Sequence, residues 1–211
     1  MPPSSRNEET FHHILDTAMD LFARDGFDSI SMSAIAEAAG VSKANIFHHF
    51  KSKDELYIQS LRRACDASHS SLEAMANGEG DAWQRIEGFL RAHLHQMFQQ
   101  SRDSRLILRE VVENRPGTAQ RLAQDVFRNN FNRLVAIIAE CQRSGALRST
   151  LDPVFVSTLL LGTNVFFFQS QEILQHLEGV DFGNDPDRYV RQFMDIFQHG
   201  TLPIENSQEE V

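Results

Sequence analysis

The chain has 211 residues, of which 41% are hydrophobic and 23% are charged, and its formal net charge is −9. These values are ordinary for a globular protein and allow one large domain or two small ones. The acidic balance excludes a general affinity for nucleic acids, so any such binding must depend on a local basic patch.

The cysteines and the N-terminus indicate where the protein works. Cys65 and Cys141 offer one possible disulfide pair, and the N-terminal sequence MPPSSRNEET lacks the basic and apolar pattern of a secretory signal. We therefore expect reduced thiols and a cytoplasmic protein. The most apolar stretch, residues 154–168, is shorter than the roughly 20 residues of a spanning helix and contains polar residues, so no membrane association is expected.

Apolar residues recur at three- and four-residue spacing along most of the chain, which predicts an all-α fold. Gly26 and Gly40 are placed to end helices, and Ser42 and Ser52 to begin them. Glu55 stands three residues after Ser52, which is the capping-box spacing. The predicted helices cover residues 10–25, 33–40, 42–50, 53–76, 82–100, 104–114, 118–144, 152–177 and 186–199.

Positive charge is concentrated in one short segment. The only lysines of the chain, Lys43, Lys51 and Lys53, lie within eleven residues that also hold His48 and His49 and no acid. A basic run is by itself more often a solvated face than a binding site, so its meaning depends on the structure that carries it.

Residues 33–49 have the pattern of a helix-turn-helix. Small residues suit a close crossing of two short helices, and a glycine suits the turn between them. Apolar residues at matching positions are expected to point into a shared core with the first helix. The crossing residues are Ala36, Ala38 and Ala39, the turn residue is Gly40, and the inward residues are Ile35, Val41, Ile46 and Phe50.

The sequence SMSAIAEAAGVSKANIFHHFKSKDELY resembles the DNA-binding signature of the TetR family of bacterial transcription regulators. The resemblance covers about the first 60 residues; beyond them only the order and lengths of the predicted helices are similar. It implies an N-terminal three-helix DNA-binding domain and a larger helical domain for effector binding and dimerisation. The predicted divisions are a helix-turn-helix domain over residues 1–52, a linker helix over 53–76, a regulatory domain over 77–203 and an acidic tail over 204–211.

The resemblance also implies which residues meet DNA. Residues early in the second helix of the motif are expected at base edges, and their neighbours at phosphates. Phe47 stands where the family usually has a tyrosine, and it lacks the hydroxyl that would reach a phosphate. The predicted DNA-contacting residues are Ser31, Ser33, Ser42, Lys43, Ala44, Asn45, Phe47, His48, His49 and Lys53.

Two long C-terminal helices are the predicted homodimer surface, because operators are commonly read by two-fold dimers. The helix over residues 152–177 is apolar on more than one side, so one side can pack into its own subunit and the other against a partner. A monomeric core helix is the alternative. The predicted interface residues are Phe155, Leu159, Gly162, Phe166, Ile173, Tyr189, Phe193 and Phe197.

A small effector is expected in the regulatory domain, where polar residues interrupt apolar faces. The many phenylalanines suit an apolar or aromatic molecule, and Arg109 could hold a carboxylate. Arg109 could equally pair with Glu113 four residues later, and the phenylalanines could equally form an ordinary core. The candidate effector-binding residues are His93, Met97, Arg109, Glu110, Glu113, Asn114, Phe127, Phe131, Asn164 and Phe168.

The sequence thus predicts a DNA-binding transcription regulator, most simply a dimeric repressor released from a palindromic operator by an effector. An activator, or an architectural DNA-binding protein without effector, remains an alternative. An enzyme is not expected, because the motifs G-x-S-x-G, H-E-x-x-H and C-x-x-C are missing. No cofactor or metal is expected, since the adjacent helical residues His48 and His49 diverge by roughly 100° and cannot easily share one ion.

Overall fold

The computed structural model describes residues 3–66, 69–113, 115 and 117–201, and throughout these ranges the regular structure is helical. The all-α prediction is confirmed. The helices are α1 (Pro3–Asp25), α2 (Met32–Ala38), α3 (Lys43–His49), α4 (Lys53–Asp66), α5 (His69–Asn77), α6 (Ala82–Gln99), α7 (Ser101–Glu113), α8 (Ala119–Arg121), a π-helical stretch (Leu122–Phe127), α9 (Arg128–Arg143), α10 (Pro153–Leu174) and α11 (Pro186–Thr201).

The chain forms two compact units. The first comprises Met1–Ala67 and Gln100–Arg128, and the second comprises Ser68–Gln99 and Asn129–Val211. These units do not test the functional divisions predicted from the sequence, at residues 52, 76 and 203, which stay predictions. The predicted acidic tail lies outside the described residues.

The core of the first unit forms where α1, α2, α3, α4 and α7 meet. Ile14, Phe22, Ile35 and Ile46 are fully buried there, and Phe50 is almost so. Burial of each such side chain is worth roughly 1.5–3 kcal/mol, so this core fixes α2 and α3 on α1 and α4. The inward positions predicted for the helix-turn-helix are therefore confirmed.

The core of the second unit lies among α5, α6, α9, α10 and α11. Ile86, Leu90, Leu160 and Phe167 are fully buried there or nearly so. Phe167 stacks on Tyr189 of α11 with the ring centroids 4.2 Å apart, which joins the last two helices.

Two of the predicted helices differ most from the structure. α1 begins at Pro3, well before the predicted start at Thr10. The predicted helix over residues 118–144 is divided by the π-helical stretch, where Arg62 Nε donates to the carbonyl oxygen of Asp125 at 2.7 Å. A side chain that bonds a backbone carbonyl in this way accompanies an irregular turn, and apolar periodicity carries no signal for it.

α10 is long and apolar enough to meet the length and composition criteria for a membrane span. It extends to Leu174, past the apolar stretch that was predicted to be too short. Leu160, Asn164 and Phe167 on one side of it are nonetheless fully buried in the second unit. We therefore interpret α10 as the central helix of that unit with an exposed second side.

Candidate nucleic-acid interface

The turn between α2 and α3 is held by backbone bonds and one left-handed glycine. Gly40 has φ +64°, and its N–H donates to the carbonyl of Glu37 at 3.1 Å. The N–H of Val41 donates to the carbonyl of Ala36 at 3.0 Å. His13 of α1 reaches the carbonyl of Ala39 through Nε2 at 3.0 Å. The prediction of a glycine with positive φ at this turn is confirmed.

Serine hydroxyls cap the N-termini of α2, α3 and α4. Ser31 Oγ accepts from the N–H of Ala34, and Ser42 Oγ accepts from the N–H of Asn45, both at 3.1 Å. Ser52 Oγ accepts from the N–H of Glu55 at 3.1 Å. The Glu55 carboxylate accepts from the N–H of Lys51 at 2.9 Å, one residue earlier than a standard capping box requires. These caps set where α2, α3 and α4 begin.

One side of α3 carries small and polar side chains exposed to solvent. Asn45 is half-buried on the same helix, and Ile46 on the opposite side is fully buried. Phe47 is 45% exposed although it is a large apolar residue. The exposed residues of this face are Ser42, Lys43, Ala44, Phe47 and His48.

The remaining predicted contacts lie around this face in different environments. Ser31 and Ser33 are exposed on α2 and just before it. His49 is half-buried, its ring 6.1 Å from that of Phe11, and burial followed by the neighbouring His48 lowers its pKa. His49 is therefore biased toward the neutral form, in which it contributes hydrogen bonding rather than charge.

Lys53 begins α4 and differs from the two exposed lysines. Its Nζ lies 4.1 Å from the centroid of the Phe27 ring, and burial lowers its pKa. Lys43 and Lys51 are exposed. Phe27 was not predicted from the sequence, because it lies 26 positions before Lys53 and no spacing rule connects residues so far apart.

The predicted effector residues divide between the two units. Within the first unit, Arg109 Nε donates to Glu113 Oε1 at 2.6 Å, and the Arg109 guanidinium also reaches the carbonyl of Arg24 at 3.3 Å. Arg109 therefore forms the i,i+4 pair that the sequence left open. Glu110 is fully buried, and Phe127 packs against the core. Asn114 lies outside the described residues.

Within the second unit, His93 and Asn164 form a buried polar pair. Asn164 Nδ2 donates to the carbonyl of Leu90 at 2.9 Å and to His93 Nδ1 at 3.1 Å. Asn164 Oδ1 is buried and has no hydrogen-bond partner among the described residues. Burial lowers the pKa of His93 to about 4, so its ring is neutral at pH 7. Met97 is buried; Phe131 and Phe168 are half-buried.

The predicted dimer residues surround an open groove on the second unit. Most of the predicted set lines this groove, which has a volume of about 420 Å³. Ile173 is exposed farther along α10, whereas Phe197 is buried and stacks on Phe193 with the centroids 5.5 Å apart. The lining residues are Phe155, Thr158, Leu159, Gly162, Thr163, Phe166, Tyr189 and Phe193.

The sequence and the fold both match known regulators. Residues 14–59 match the family described as bacterial regulatory proteins, tetR family. The regulator RutR of Escherichia coli K12 is 32% identical over 140 residues, which is 66% of this chain and 65% of RutR. Residues 14–59 are therefore a TetR-family sequence. A TetR-family transcription regulator from Shewanella sp. PV-4 shares the fold, with a TM-score of 0.73 and 20% identity over 91% of this chain and 97% of that one.

Other TetR-family relatives differ in the direction of regulation. The transcriptional repressor NemR of E. coli K12 is 32% identical over 92 residues, 43% of this chain and 46% of NemR. The transcriptional activator FasR of Mycolicibacterium smegmatis is 30% identical over 112 residues, 53% of this chain and 51% of FasR. The matched segments span less than two thirds of the lengths of RutR, NemR and FasR.

Proposed function

We propose that this protein is a DNA-binding transcription regulator that acts as a homodimeric repressor and releases its palindromic operator when a small effector binds. The observation that carries the proposal is the exposed face of α3. It presents Lys43 and the small residues Ser42 and Ala44 beside one another on a helix whose other side is fixed in the core. A small, polar and locally basic helix face is what the major groove accepts.

The electrostatics of the chain support sequence-specific binding. The net charge of −9 opposes general attraction to DNA, whereas all the lysines lie on or next to α3. Affinity must therefore come from correct docking of this region, where phosphate contacts set orientation and base contacts supply specificity. Such a regulator works in the cytoplasm beside the chromosome.

The groove on α10 and α11 supports the homodimer. Phe155 is 64% exposed and Phe166 62%, an unusual exposure for phenylalanines that share one apolar groove. Large contiguous apolar patches on soluble proteins commonly mark interaction surfaces. A second copy of the chain offers the same surface, so the two grooves can meet about a two-fold axis.

The polar pair in the second unit supports an effector site there. Because Asn164 donates to His93 Nδ1, the proton of the neutral ring lies on Nε2, and the spare atom of Asn164 is an acceptor. A neutral effector with a donor would satisfy that acceptor, whereas a carboxylate would be repelled by it. Arg109, the residue considered for a carboxylate, is already paired with Glu113.

DNA selection from a random library tests the proposal with no operator sequence assumed. We expect the purified protein to enrich a palindromic sequence, and Lys43→Ala to weaken its binding about 10-fold, as for loss of one good contact. Arg143→Ala is the matched control, since it removes one exposed positive charge from the second unit and should change affinity less than twofold. Failure to enrich any sequence at low salt would exclude the DNA-binding function.

Reporter measurements decide the direction of regulation. With the selected operator placed before a reporter gene, repression predicts lower expression with the protein than without it. Increased expression would identify an activator. Some compounds will bind the protein and raise its melting temperature. If none of them changes the affinity for the operator, the architectural alternative is favoured.

A further inference from the structure

We propose that Glu110, Arg115 and Phe27 are positioning residues that hold Lys53 and the start of α4 for a DNA phosphate. The proposal rests on the proposed DNA-binding function and concerns only the first unit. It makes Glu110 of α7 and Arg115 supports of the DNA-binding surface, although both lie far beyond the recognition helix in the sequence.

The network begins at a buried carboxylate. Glu110 is fully buried, and its Oε2 accepts from Tyr57 Oη at 2.8 Å and from Arg115 Nε at 2.9 Å. Thr118 Oγ1 lies 2.8 Å from Glu110 Oε1 and 2.7 Å from the carbonyl oxygen of Arg115, and its single proton can be donated to either. A buried charge is tolerated only when it is paired and hydrogen-bonded, and here Oε2 has two donors. Because Oε2 accepts from both Tyr57 and Arg115, the buried network fixes Arg115 relative to α4.

Protonation of Tyr57 strengthens this arrangement. Burial and the bond to Glu110 raise the pKa of Tyr57 far above its usual value. The hydroxyl therefore remains a donor to Glu110 under all ordinary conditions. Tyr57 lies on α4 one turn after Lys53, so the bond ties that first turn directly to α7.

The fixed guanidinium in turn holds an aromatic ring. The centre of the Arg115 guanidinium lies 3.8 Å from the centroid of Phe27 and 4.7 Å from that of Tyr57. The Phe27 and Tyr57 rings meet edge to face with their centroids 4.9 Å apart. Lys53 Nζ lies 4.1 Å from the same Phe27 centroid, well within cation–π range. The position of Lys53 is thus set by a ring that Arg115 and Tyr57 hold.

A second contact from α7 fixes the backbone that leads to Phe27. Gly26 has φ +81° and ends α1, where the Arg109 guanidinium lies so close that a Cβ on Gly26 would stand 2.5 Å from one of its nitrogens. Arg109 also donates to the carbonyl of Arg24 in the last turn of α1. A cation at a helix C-terminus is favourable, so α7 secures the end of α1 that leads into Phe27.

The resulting site favours an anion. The N-terminus of α4 and the Lys53 ammonium both favour negative charge at this point, whereas the Arg115 charge is balanced by Glu110. Asp28 and Asp54 lie close enough to offset part of this charge. Contact with the Phe27 ring holds the half-buried Lys53 side chain near one place, which suits a single phosphate at a defined position on the duplex.

A double-mutant cycle measured as operator affinity against salt concentration tests the proposal. Phe27→Leu removes the ring but keeps an apolar side chain, and Lys53→Ala removes the ammonium. We expect each to weaken binding about 10-fold for each protomer and to reduce the slope of log affinity against log salt by about 0.9 for each protomer, or about 1.8 for a dimer on its operator, since one phosphate contact is lost on each half-site. The double variant should be no weaker than Lys53→Ala alone.

Matched variants separate positioning from folding. Phe98→Leu makes the same change at a half-buried phenylalanine of the second unit and should leave the salt slope unchanged. Phe27→Tyr keeps a ring and should restore both affinity and slope. Tyr57→Phe removes only one hydrogen bond to Glu110 and should lower affinity in the presence of Lys53 but not in its absence.

Additive effects in the cycle, or a lower melting temperature with an unchanged salt slope, would overturn the positioning role. In either case wild-type binding to the operator would still support the proposed function. Absence of wild-type binding would instead overturn both.

Discussion

Phe47 is the residue of α3 that departs most from the family pattern, in which a tyrosine is usual at this position. The side chain is 45% exposed and lies on the polar face, so it contributes little to the core. The exposure of Phe47 could be predicted from the sequence, because α3 is a short amphipathic helix with Ile46 on its buried side. Its effect on DNA affinity was not readable, because that depends on a phosphate position.

Phe47→Tyr should strengthen operator binding. The added hydroxyl can donate to a phosphate oxygen, a bond worth roughly 1 kcal/mol, or about fivefold in affinity, for each protomer. The melting temperature should hardly change, because the new group is exposed. Fluorescence anisotropy with the selected operator measures the effect, and Phe47→Leu serves as the control that adds no donor. Equal affinities for the tyrosine variant and the wild type would mean that no phosphate lies within reach.

His93 makes stability depend on pH. Its pKa is about 4 in the folded protein because of burial, whereas an unfolded histidine has a pKa near 6.5. The unfolded state therefore binds more protons between these values, so this contribution is complete above about pH 6.5 and is lost as the pH falls toward 4. From pH 7 to pH 5 the loss is roughly 2 kcal/mol.

His93→Gln should reduce that loss while keeping an acceptor for Asn164. Denaturant unfolding at pH 7 and pH 5 gives the two free energies of unfolding. His176→Gln is the control, since it alters an exposed histidine of the same unit. A fall in stability that is the same for wild type and His93→Gln would show that His93 is not the group responsible.

The starts of α3 and α4 are the features of the helices that the sequence predicted best. Ser42 and Ser52 cap α3 and α4 as their spacing indicated, since a cap requires only residues three apart. Contacts such as that between Tyr57 and Glu110 join residues 53 positions apart, and nothing in local periodicity reports them. The π-helical stretch could not be predicted for the same reason, because Arg62, which donates to the carbonyl of Asp125 in this stretch, belongs to another helix.

The cap and the DNA contact proposed for Ser42 can be separated by two substitutions. Ser42→Ala removes the bond to the N–H of Asn45 and should lower the free energy of unfolding by about 1 kcal/mol. Ser42→Asp keeps a cap of similar strength but places a negative charge on the DNA-facing side, so stability should be retained and operator affinity should fall. Chemical denaturation and anisotropy measure the two effects.

Ser33→Ala provides the comparison, because Ser33 is exposed within α2 and does not begin a helix. It should leave stability within about 0.5 kcal/mol of wild type. Wild-type operator affinity in Ser42→Asp would argue that α3 does not enter the groove by its N-terminal end.

At the scale of the whole molecule, the chain combines an acidic composition with one basic helix face and one apolar groove. The two sides of α10 were predicted from its sequence, because a helix apolar all round must be covered on both sides. The structure buries Leu160 and Phe167 on one side and exposes Phe155 and Phe166 on the other. Phe197 was predicted in the dimer interface but is buried and stacks on Phe193, since a helix pattern gives spacing but not the depth at which a neighbour packs.

Gly162→Leu tests whether two copies meet at this groove. Gly162 lies in the exposed side of α10, and a Cβ added there meets no atom within 4 Å, so the protomer itself accepts the larger side chain. Leucine also favours the helix over glycine by roughly 0.8 kcal/mol, so the protomer should not lose stability. In a dimer the added side chain would occupy the space that a partner helix needs and would shift the equilibrium toward monomers.

Gly88→Leu is a close control, because Gly88 is an exposed glycine inside α6 that also has nothing near its missing Cβ. Sedimentation velocity over a range of concentrations should show dimers for wild type and Gly88→Leu and mainly monomers for Gly162→Leu. Operator affinity should fall when dimerisation is lost, because one protomer reads only half of a palindrome. A Gly162→Leu protein that remains dimeric would place the dimer contact elsewhere and leave the groove to another partner.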